Sequence, residues 1–331
     1  MYKNKHFGDT ANTTITECAN DTSIYKLAQL PTNVKKGLTP LQKRARSKWF
    51  SQTIINELLQ IEDSPLHDYY LNASSCNDVL TQNENTIKSK YCNTRVCNIC
   101  NRVRTAKLMN GYITQFAQFN RLEFVTLTRP NVKENELRKE IELIVKRISN
   151  IVRILREKRK INISGIRKIE VTYNAKTDTY HPHLHILCNE DYGKYIVELW
   201  LKYNPTANIK GQDYREATQG SLNELFKYST KFLDKSSNKA EMDLYVKPLD
   251  KIMIALYKKR TFQPFGKIRK IKEDPEDFDN VMVLKTQEYE ELPNYNSALW
   301  LWDNDCDWLE FISYEPLTNY KKPNLKINIY G

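Results

Sequence analysis

Three of the five histidines in this chain stand within five residues, in the stretch YHPHLHIL at positions 180–187. Leu184 and Ile186 alternate with His183 and His185, which is the period of a β-strand with one buried face. On such a strand His183 and His185 point to the same side. Two neutral imidazoles side by side form half of a divalent-metal site, so the pattern predicts a strand that carries metal ligands.

A carboxylate on a neighbouring strand would complete this site. Residues 166–173 form the preceding strand candidate, and Glu170 is the acidic residue within it. The polar loop that follows suits a short antiparallel pair, which would place Glu170 beside His183 and His185. An imidazole and carboxylate site leaves coordination positions open, as a catalytic metal requires. His181 could be a ligand or could orient one, and we favour the second role.

The apolar pattern predicts a β–α–β–β order around this pair. Residues 121–128 are rich in strand formers and stop before Pro130, and residues 131–160 have helical spacing with Asn131 as the N-cap. Ser221 is the predicted cap of a later helix. Helices are also expected at 49–61, 102–119, 191–203, 221–233 and 246–260, and a further strand at 212–217.

Four of the seven cysteines lie in a loop-rich stretch before the helix expected at 102–119. Cys92, Cys97 and Cys100 are closely spaced, and Cys76 lies 16 residues upstream of Cys92. Four thiolates would close a tetrahedral structural zinc site. The odd number of cysteines and the polar N-terminus disfavour a disulfide framework and favour a reducing cytoplasm.

The charge is distributed unevenly. The net charge is +11, but residues 273–331 hold 13 acidic and 4 basic residues, so residues 1–272 carry +20. Such a body is typical of proteins that bind nucleic acid. No 18 apolar residues run together, which excludes a membrane-spanning helix, and the chain lacks the glycine motifs of Rossmann and P-loop nucleotide sites.

A tyrosine stands in an unusual setting in the sequence ELFKYSTK, residues 224–231. Glu224 and Tyr228 are four residues apart and share a helical face, and Lys231 follows Tyr228 by three. A phenol is a poor nucleophile at neutral pH, and a lysine beside it would favour the phenolate. Glu224 could serve chemistry beside the tyrosine, or it could only cap the helix, since it lies three residues after Ser221.

Four motifs carry a resemblance to a known family. His183-Leu184-His185 resembles the HUH motif (His, hydrophobic, His) of nucleases that nick single-stranded DNA, and the strand FVTLT at 124–128 resembles their F-x-T-L-T motif. The frame E-x-x-K-Y-x-x-K resembles that of plasmid rolling-circle replication initiators with one tyrosine and one glutamate in the active site. The cysteine run is similar to theirs, with Asn98 in place of the usual proline.

The resemblance covers about residues 76–265 and implies an α+β fold. This is the HUH endonuclease fold, a central antiparallel sheet flanked by helices, with an N-terminal zinc-binding region and a small acidic C-terminal segment. The expected organisation is a poorly ordered tail at 1–34, a basic helical and zinc-binding region at 35–118, the nicking domain at 119–265 and the acidic, aromatic segment at 266–331.

The resemblance also implies a function, which is origin-specific DNA nicking by Tyr228 with a covalent 5′-phosphotyrosine. Lys231 would assist Tyr228, Glu224 would serve the terminating cleavage, and Glu170, His183 and His185 would hold Mg²⁺ or Mn²⁺. Expected partners are plasmid origin DNA and the host helicase, DNA polymerase and single-strand-binding protein, in the cytoplasm and without a membrane. The alternatives are an HUH transposase or relaxase, or a non-catalytic zinc-dependent DNA-binding repressor. The basic runs 35–48 and 251–272 are candidate DNA contacts.

Overall fold

The computed structural model describes residues 38–83, 86–226, 233–235, 240–271, 297–303 and 306–331. The predicted tail at 1–34 lies outside these residues. The described helices are α1 Pro40–Leu59, α2 His67–Ser74, α3 Asn98–Phe116, α4 Glu134–Glu157, α5 Gly193–Tyr203, α6 Gln219–Phe226 and α7 Val246–Leu256. The described strands are β1 Val79–Asn83, β2 Thr86–Ser89, β3 Leu122–Thr128, β4 Gly165–Asn174, β5 Thr179–Asn189, β6 Asp213–Glu216, β7 Asp234–Lys235, β8 Glu241–Tyr245, β9 Phe262–Phe265, β10 Ser297–Asp303, β11 Asp307–Glu310 and β12 Lys326–Tyr330.

The architecture is mixed α+β, as the sequence predicts. Five antiparallel strands form the central sheet in the order β6–β3–β5–β4–β9. The predicted pair is its middle, and both strands extend beyond the predicted bounds. None of the described helices is both long and apolar enough to cross a bilayer.

The two faces of this sheet are packed differently. Leu184 and Ile186 lie in a core with the apolar stripe of α4, in which Ile141 and Ile148 are fully buried. On the other face, Phe124 packs in a second core with apolar residues of α3 and α6. The remaining part of that second face carries the polar residues of the candidate site.

Two predicted helix caps are wrong. Helix α4 begins at Glu134 after the cap residue Lys133, because the Asn131 side chain instead contacts His181 and Thr179. Helix α6 begins at Gln219, where Thr218 and Ser221 exchange two hydrogen bonds between backbone and side chain. Ser221 therefore lies inside the first turn of α6 and not at its cap.

Two other helix ends differ from the prediction. Helix α1 starts nine residues before Trp49, because Thr39 and Gln42 form a capping box and Pro40 suits the first turn. Part of the basic run 35–48 is therefore helical. Helix α7 stops at Leu256 instead of continuing to Arg260, because Lys258 adopts a left-handed backbone with φ of 58°.

The acidic C-terminal segment contributes strands to a second sheet, in the order β11–β10–β1–β2. Val79 of β1 pairs with Leu301 of β10, so this sheet crosses the expected boundary between the N-terminal region and the C-terminal segment. Trp300 and Trp308 are fully buried in a core with Trp49 and Leu80. A third sheet, β12–β8–β7, joins the last strand to the region before α7.

The burial of Trp308 predicts a large loss of stability for Trp308→Ala. The indole is 0% exposed and its Nε1 donates to the Asn77 carbonyl at 2.8 Å. We expect the free energy of unfolding to fall by about 3–5 kcal/mol in urea titrations followed by circular dichroism. Phe311→Ala is the matched control, since Phe311 is 57% exposed. Equal effects of the two substitutions would contradict the packing of β11 onto the N-terminal region.

Candidate active site and cysteine cluster

Glu170, His183 and His185 converge on the polar part of the central sheet. Their ligand atoms all lie within 4.8 Å of one another. Nε2 of each imidazole is 3.4 Å from Oε2 of Glu170. The strand register produces this arrangement, because Glu170 pairs directly with His183 and the histidines are two residues apart on β5. The three residues predicted as metal ligands are therefore brought together.

The orientation of both imidazoles suits metal binding through Nε2. Nδ1 of His183 lies 3.1 Å from the His181 carbonyl, which can only accept, so that nitrogen carries the proton and Nε2 keeps its lone pair. Nδ1 of His185 is 3.2 Å from the Thr126 hydroxyl, and its ring stacks on Phe124 at 5.2 Å. Nε2 of His183 is therefore the nitrogen available to a metal ion, on the side of the ring that faces Glu170.

His181 contacts His183 and is not itself part of the converging group. Its carbonyl accepts from His183, and its own Nδ1 is 2.8 Å from Oδ1 of Asn131. Partial burial, and to a lesser degree the neighbouring His183, lower the pKa of His181. The supporting role of His181 stays a prediction, and these contacts are the ones through which it would act.

Lys168 is a residue of this site that the sequence analysis missed. It is 1% exposed, forms an ion pair with Glu170, and donates from Nζ to the main-chain carbonyl of Glu224 at 3.0 Å. Lys168 thus joins the sheet to α6. The signal was available, because Lys168 lies two residues before Glu170 and must share its face of the strand.

Glu170 is held in its charged form. Burial raises the pKa of this carboxyl, but the contacts with Nε2 of His183 and His185 and the charge of Lys168 outweigh it and hold the pKa well below its usual range. A permanently ionised carboxylate between two imidazoles is a suitable donor set for a divalent cation.

Glu224 lies at the edge of this site. Its Oε1 is 3.5 Å from Nε2 of His185, and its side chain is 46% exposed. The first turn of α6 is closed by Thr218 and Ser221, so the interpretation of Glu224 as a helix cap loses its basis. The other two residues of the predicted frame, Tyr228 and Lys231, lie outside the described residues.

Cys76, Cys92, Cys97 and Cys100 form a second cluster. All four are buried, and their sulfur atoms lie within 4.8 Å of one another. Cys100 is 3.6 Å from both Cys76 and Cys92. Four sulfurs at about 2.3 Å from one zinc ion would be separated by about 3.8 Å, so the spacing fits a tetrahedral metal site.

Polar groups contact the sulfur atoms of the cysteine cluster. The backbone N–H of Cys92 lies 3.4 Å from the Cys76 sulfur, and the Ser51 hydroxyl lies 3.9 Å from that of Cys97. The mutual contacts of the thiols lower the pKa of Cys76 and Cys92 and raise the pKa of Cys97 and Cys100, so the four sulfurs share their protons while no ion is bound. Each cluster could therefore hold a metal ion, one with thiolates alone and the other with imidazoles and a carboxylate.

The fold and these two donor clusters define an α+β protein with two candidate metal sites. A family model described as Replication protein matches residues 84–306, which is more than half of the chain and includes the active-site strands. The chain belongs to this replication-protein family. No solved structure matches it at a significant level.

Several curated proteins are similar to this chain. Protein rep from Staphylococcus aureus is 30% identical over 223 residues, which cover 60% of this chain and 95% of the relative. Protein rep from Streptococcus pneumoniae serotype 2 is 28% identical over 213 residues, covering 55% of this chain and 62% of the relative. A Replication protein from Bacillus sp is 25% identical over 208 residues, covering 54% and 86%.

Proposed function

We propose that this chain initiates rolling-circle replication of a plasmid by nicking one strand of the origin. The observation that carries the proposal is the convergence of Glu170, His183 and His185 on an antiparallel sheet in a member of the replication-protein family. The position of the His–hydrophobic–His strand between β3 and β4 supports the HUH arrangement.

Glu170, His183 and His185 would hold Mg²⁺ or Mn²⁺. When bound, the ion would neutralise charge on the scissile phosphate and fix its orientation. His181 and Asn131 would keep the His183 ring in place, and Lys168 would keep Glu170 charged and correctly placed between the histidines. These roles follow from the hydrogen bonds and the ion pair that the side chains form with one another.

Tyr228 would be the nucleophile. Its phenolic oxygen attacks the phosphorus, the bond to the 3′ oxygen breaks, and the DNA keeps a free 3′-OH while the tyrosine carries the 5′-phosphate. The proton lost by the phenol balances the one that the 3′ oxygen gains. Lys231 would favour the phenolate, and Glu224 would take a proton from water in the terminating cleavage.

The cysteine cluster would hold a structural zinc ion, which the sulfur spacing supports. In this proposal the partners in the cytoplasm are plasmid origin DNA and the host helicase, DNA polymerase and single-strand-binding protein. The polymerase would extend the 3′-OH. The positive charge of residues 1–272 supports DNA as the primary partner.

The test is a nicking assay on supercoiled plasmid that carries the origin of the same replicon, with Mn²⁺. We expect open circles from the wild type. Glu224→Gln should still make the first nick but should accumulate covalent protein–DNA complex, because the second cleavage loses its general base. Glu216→Gln, an exposed carboxylate on β6, is the matched control and should release DNA normally. Failure of the wild type to open any origin of its replicon would contradict the proposal.

A further inference from the structure

Two neighbouring cavities beside α7 form one positively charged groove. Their volumes are about 240 Å³ and about 350 Å³, and Arg95 lines both. Their basic side chains are Arg95, Arg104, Lys258, Arg260 and Lys270, and among the described residues no acid lines either cavity. We call this surface the cationic groove.

The cysteine loop forms one wall of the cationic groove. Arg95, between Cys92 and Cys97, donates from Nη1 to the Leu256 carbonyl at 2.7 Å and from Nη2 to the Lys259 carbonyl. Arg104 donates to the Thr94 carbonyl at 3.1 Å. Backbone oxygens thus hold both guanidinium groups, and the contacts of Arg95 fix this wall to the end of α7.

The opposite wall carries cations that are available to a ligand. Lys258, Arg260 and Lys270 form no ion pair with any acidic residue in the described part of the chain. Lys258 also adopts a left-handed backbone with φ of 58°, a conformation that glycine adopts at lower cost.

A buried arginine behind the groove adds an independent sign of an anionic ligand. Arg167 is 4% exposed and its Nη2 donates to Gln263, which lines the groove, at 2.5 Å. Its Nη1 has no hydrogen-bond partner among the described residues. A buried guanidinium without an acidic partner would be stabilised by negative charge brought into the groove.

The groove is lined by aromatic rings as well as cations. Tyr257 is 39% exposed, and Lys258 lies 5.3 Å from the centre of its ring. Phe262 lines the groove on one side, while Lys168 lies 5.6 Å from the centre of its ring. Phe262 therefore lies between the groove and Lys168, the ion-pair partner of Glu170.

We propose that the cationic groove binds a single strand of DNA, with phosphates on Lys258, Arg260 and Lys270 and a base stacked on Tyr257, and leads it toward Glu170. This inference rests on the proposed function and assigns its DNA path. Cations that follow a backbone and an exposed aromatic ring that stacks a base are the features of single-strand binding surfaces. Two small cavities joined at Arg95 suit one strand better than a duplex.

The test is fluorescence anisotropy with a labelled 20-nucleotide oligothymidylate. The double variant Lys258→Gly/Arg260→Ala should bind at least about 10-fold more weakly at about 100 mM salt. The negative slope of log K against log salt should become shallower by about 1.4, because each phosphate contact on a single strand contributes about 0.7 to its magnitude. Glycine at position 258 relieves the backbone, so the melting temperature should not fall. Arg260→Lys should retain most of the affinity.

Arg153→Ala/Arg156→Ala is the matched control, because it removes the same charge from exposed positions on α4. It should change affinity less than about 2-fold. Equal losses in the two double variants, or an unchanged affinity and salt slope in the groove variant, would overturn the groove. An equal loss for a 20-base-pair duplex would overturn the single-strand assignment.

The same assay separates this inference from the proposed function. Glu170→Gln should abolish nicking while it leaves oligothymidylate affinity in the absence of divalent metal within about 2-fold of the wild type. If the wild type nicks no origin but the groove variant still loses affinity for oligothymidylate, the groove is supported and the nicking proposal is contradicted. If the wild type nicks its origin but the groove variant binds oligothymidylate as well as the wild type does, the nicking proposal is supported and the groove is contradicted.

Discussion

Replacing Glu170 with glutamine should lower Mn²⁺-dependent nicking by at least about 10³-fold, or about 4 kcal/mol in the barrier. The substitution keeps the shape of the side chain and removes the charge on which Nε2 of His183 and His185 converges at 3.4 Å. A site with two imidazoles and no carboxylate would bind a hard divalent ion weakly. The rate constant for cleavage of an origin oligonucleotide measures the effect.

Binding of the ion itself provides a readout that is independent of cleavage. We expect isothermal titration with Mn²⁺ to give one site in the wild type that is lost in Glu170→Gln and in His183→Gln. His183→Gln guards against a misfolded first variant, since it leaves the ion pair of Lys168 with Glu170 in place. Glu216→Gln should retain both Mn²⁺ binding and nicking. Wild-type cleavage rates in Glu170→Gln would remove this residue from the mechanism.

Loss of one cysteine of the cluster should destabilise the N-terminal region more than loss of a buried cysteine elsewhere. Cys97 and Cys188 are both 0% exposed, so Cys97→Ala and Cys188→Ala remove the same volume from buried surroundings. If the cluster holds zinc, Cys97→Ala also removes metal-binding free energy, which in such sites is folding free energy. We expect an additional loss of about 3–5 kcal/mol, or roughly 10 °C in melting temperature.

Metal content distinguishes ligation from packing in this pair. The wild type and Cys188→Ala should each contain one equivalent of zinc, and Cys97→Ala none. Since Arg95 attaches the cysteine loop to the end of α7, Cys97→Ala should also weaken binding of oligothymidylate. Equal melting temperatures of the two variants, or a metal-free wild type, would contradict a structural zinc site.

The candidate site was predictable where it depended on local pattern. Alternation along β5 places His183 and His185 on one face, and the short loop places Glu170 beside them. The cysteine spacing likewise predicted a cluster that the structure brings together. Lys168 was missed because a lysine within a strand ordinarily lies in solvent, and its burial depends on tertiary contacts, which include the ion pair with Glu170 and the hydrogen bond to the Glu224 carbonyl.

The contacts between distant segments were not predictable. The pairing of β1 with β10 joins strands far apart in the sequence, and neither strand alone specifies its partner. The attachment of Arg95 to α7 joins a loop to a helix end in the same way. The start of α1 was missed because its charged residues conceal the helical pattern, although the capping residues Thr39 and Gln42 mark it.

We propose that Tyr228 cleaves DNA with the help of the metal site. The most direct measurement is a denaturing gel of a single-stranded origin oligonucleotide, labelled at either end, with Mn²⁺ and either the wild type or Tyr228→Phe. We expect the 5′-phosphate of the 3′ fragment to become attached to the wild-type protein. Tyr228→Phe should neither cleave the oligonucleotide nor become attached to it. Cleavage that persists in Tyr228→Phe would contradict the account, because the nucleophile would then be another tyrosine or water.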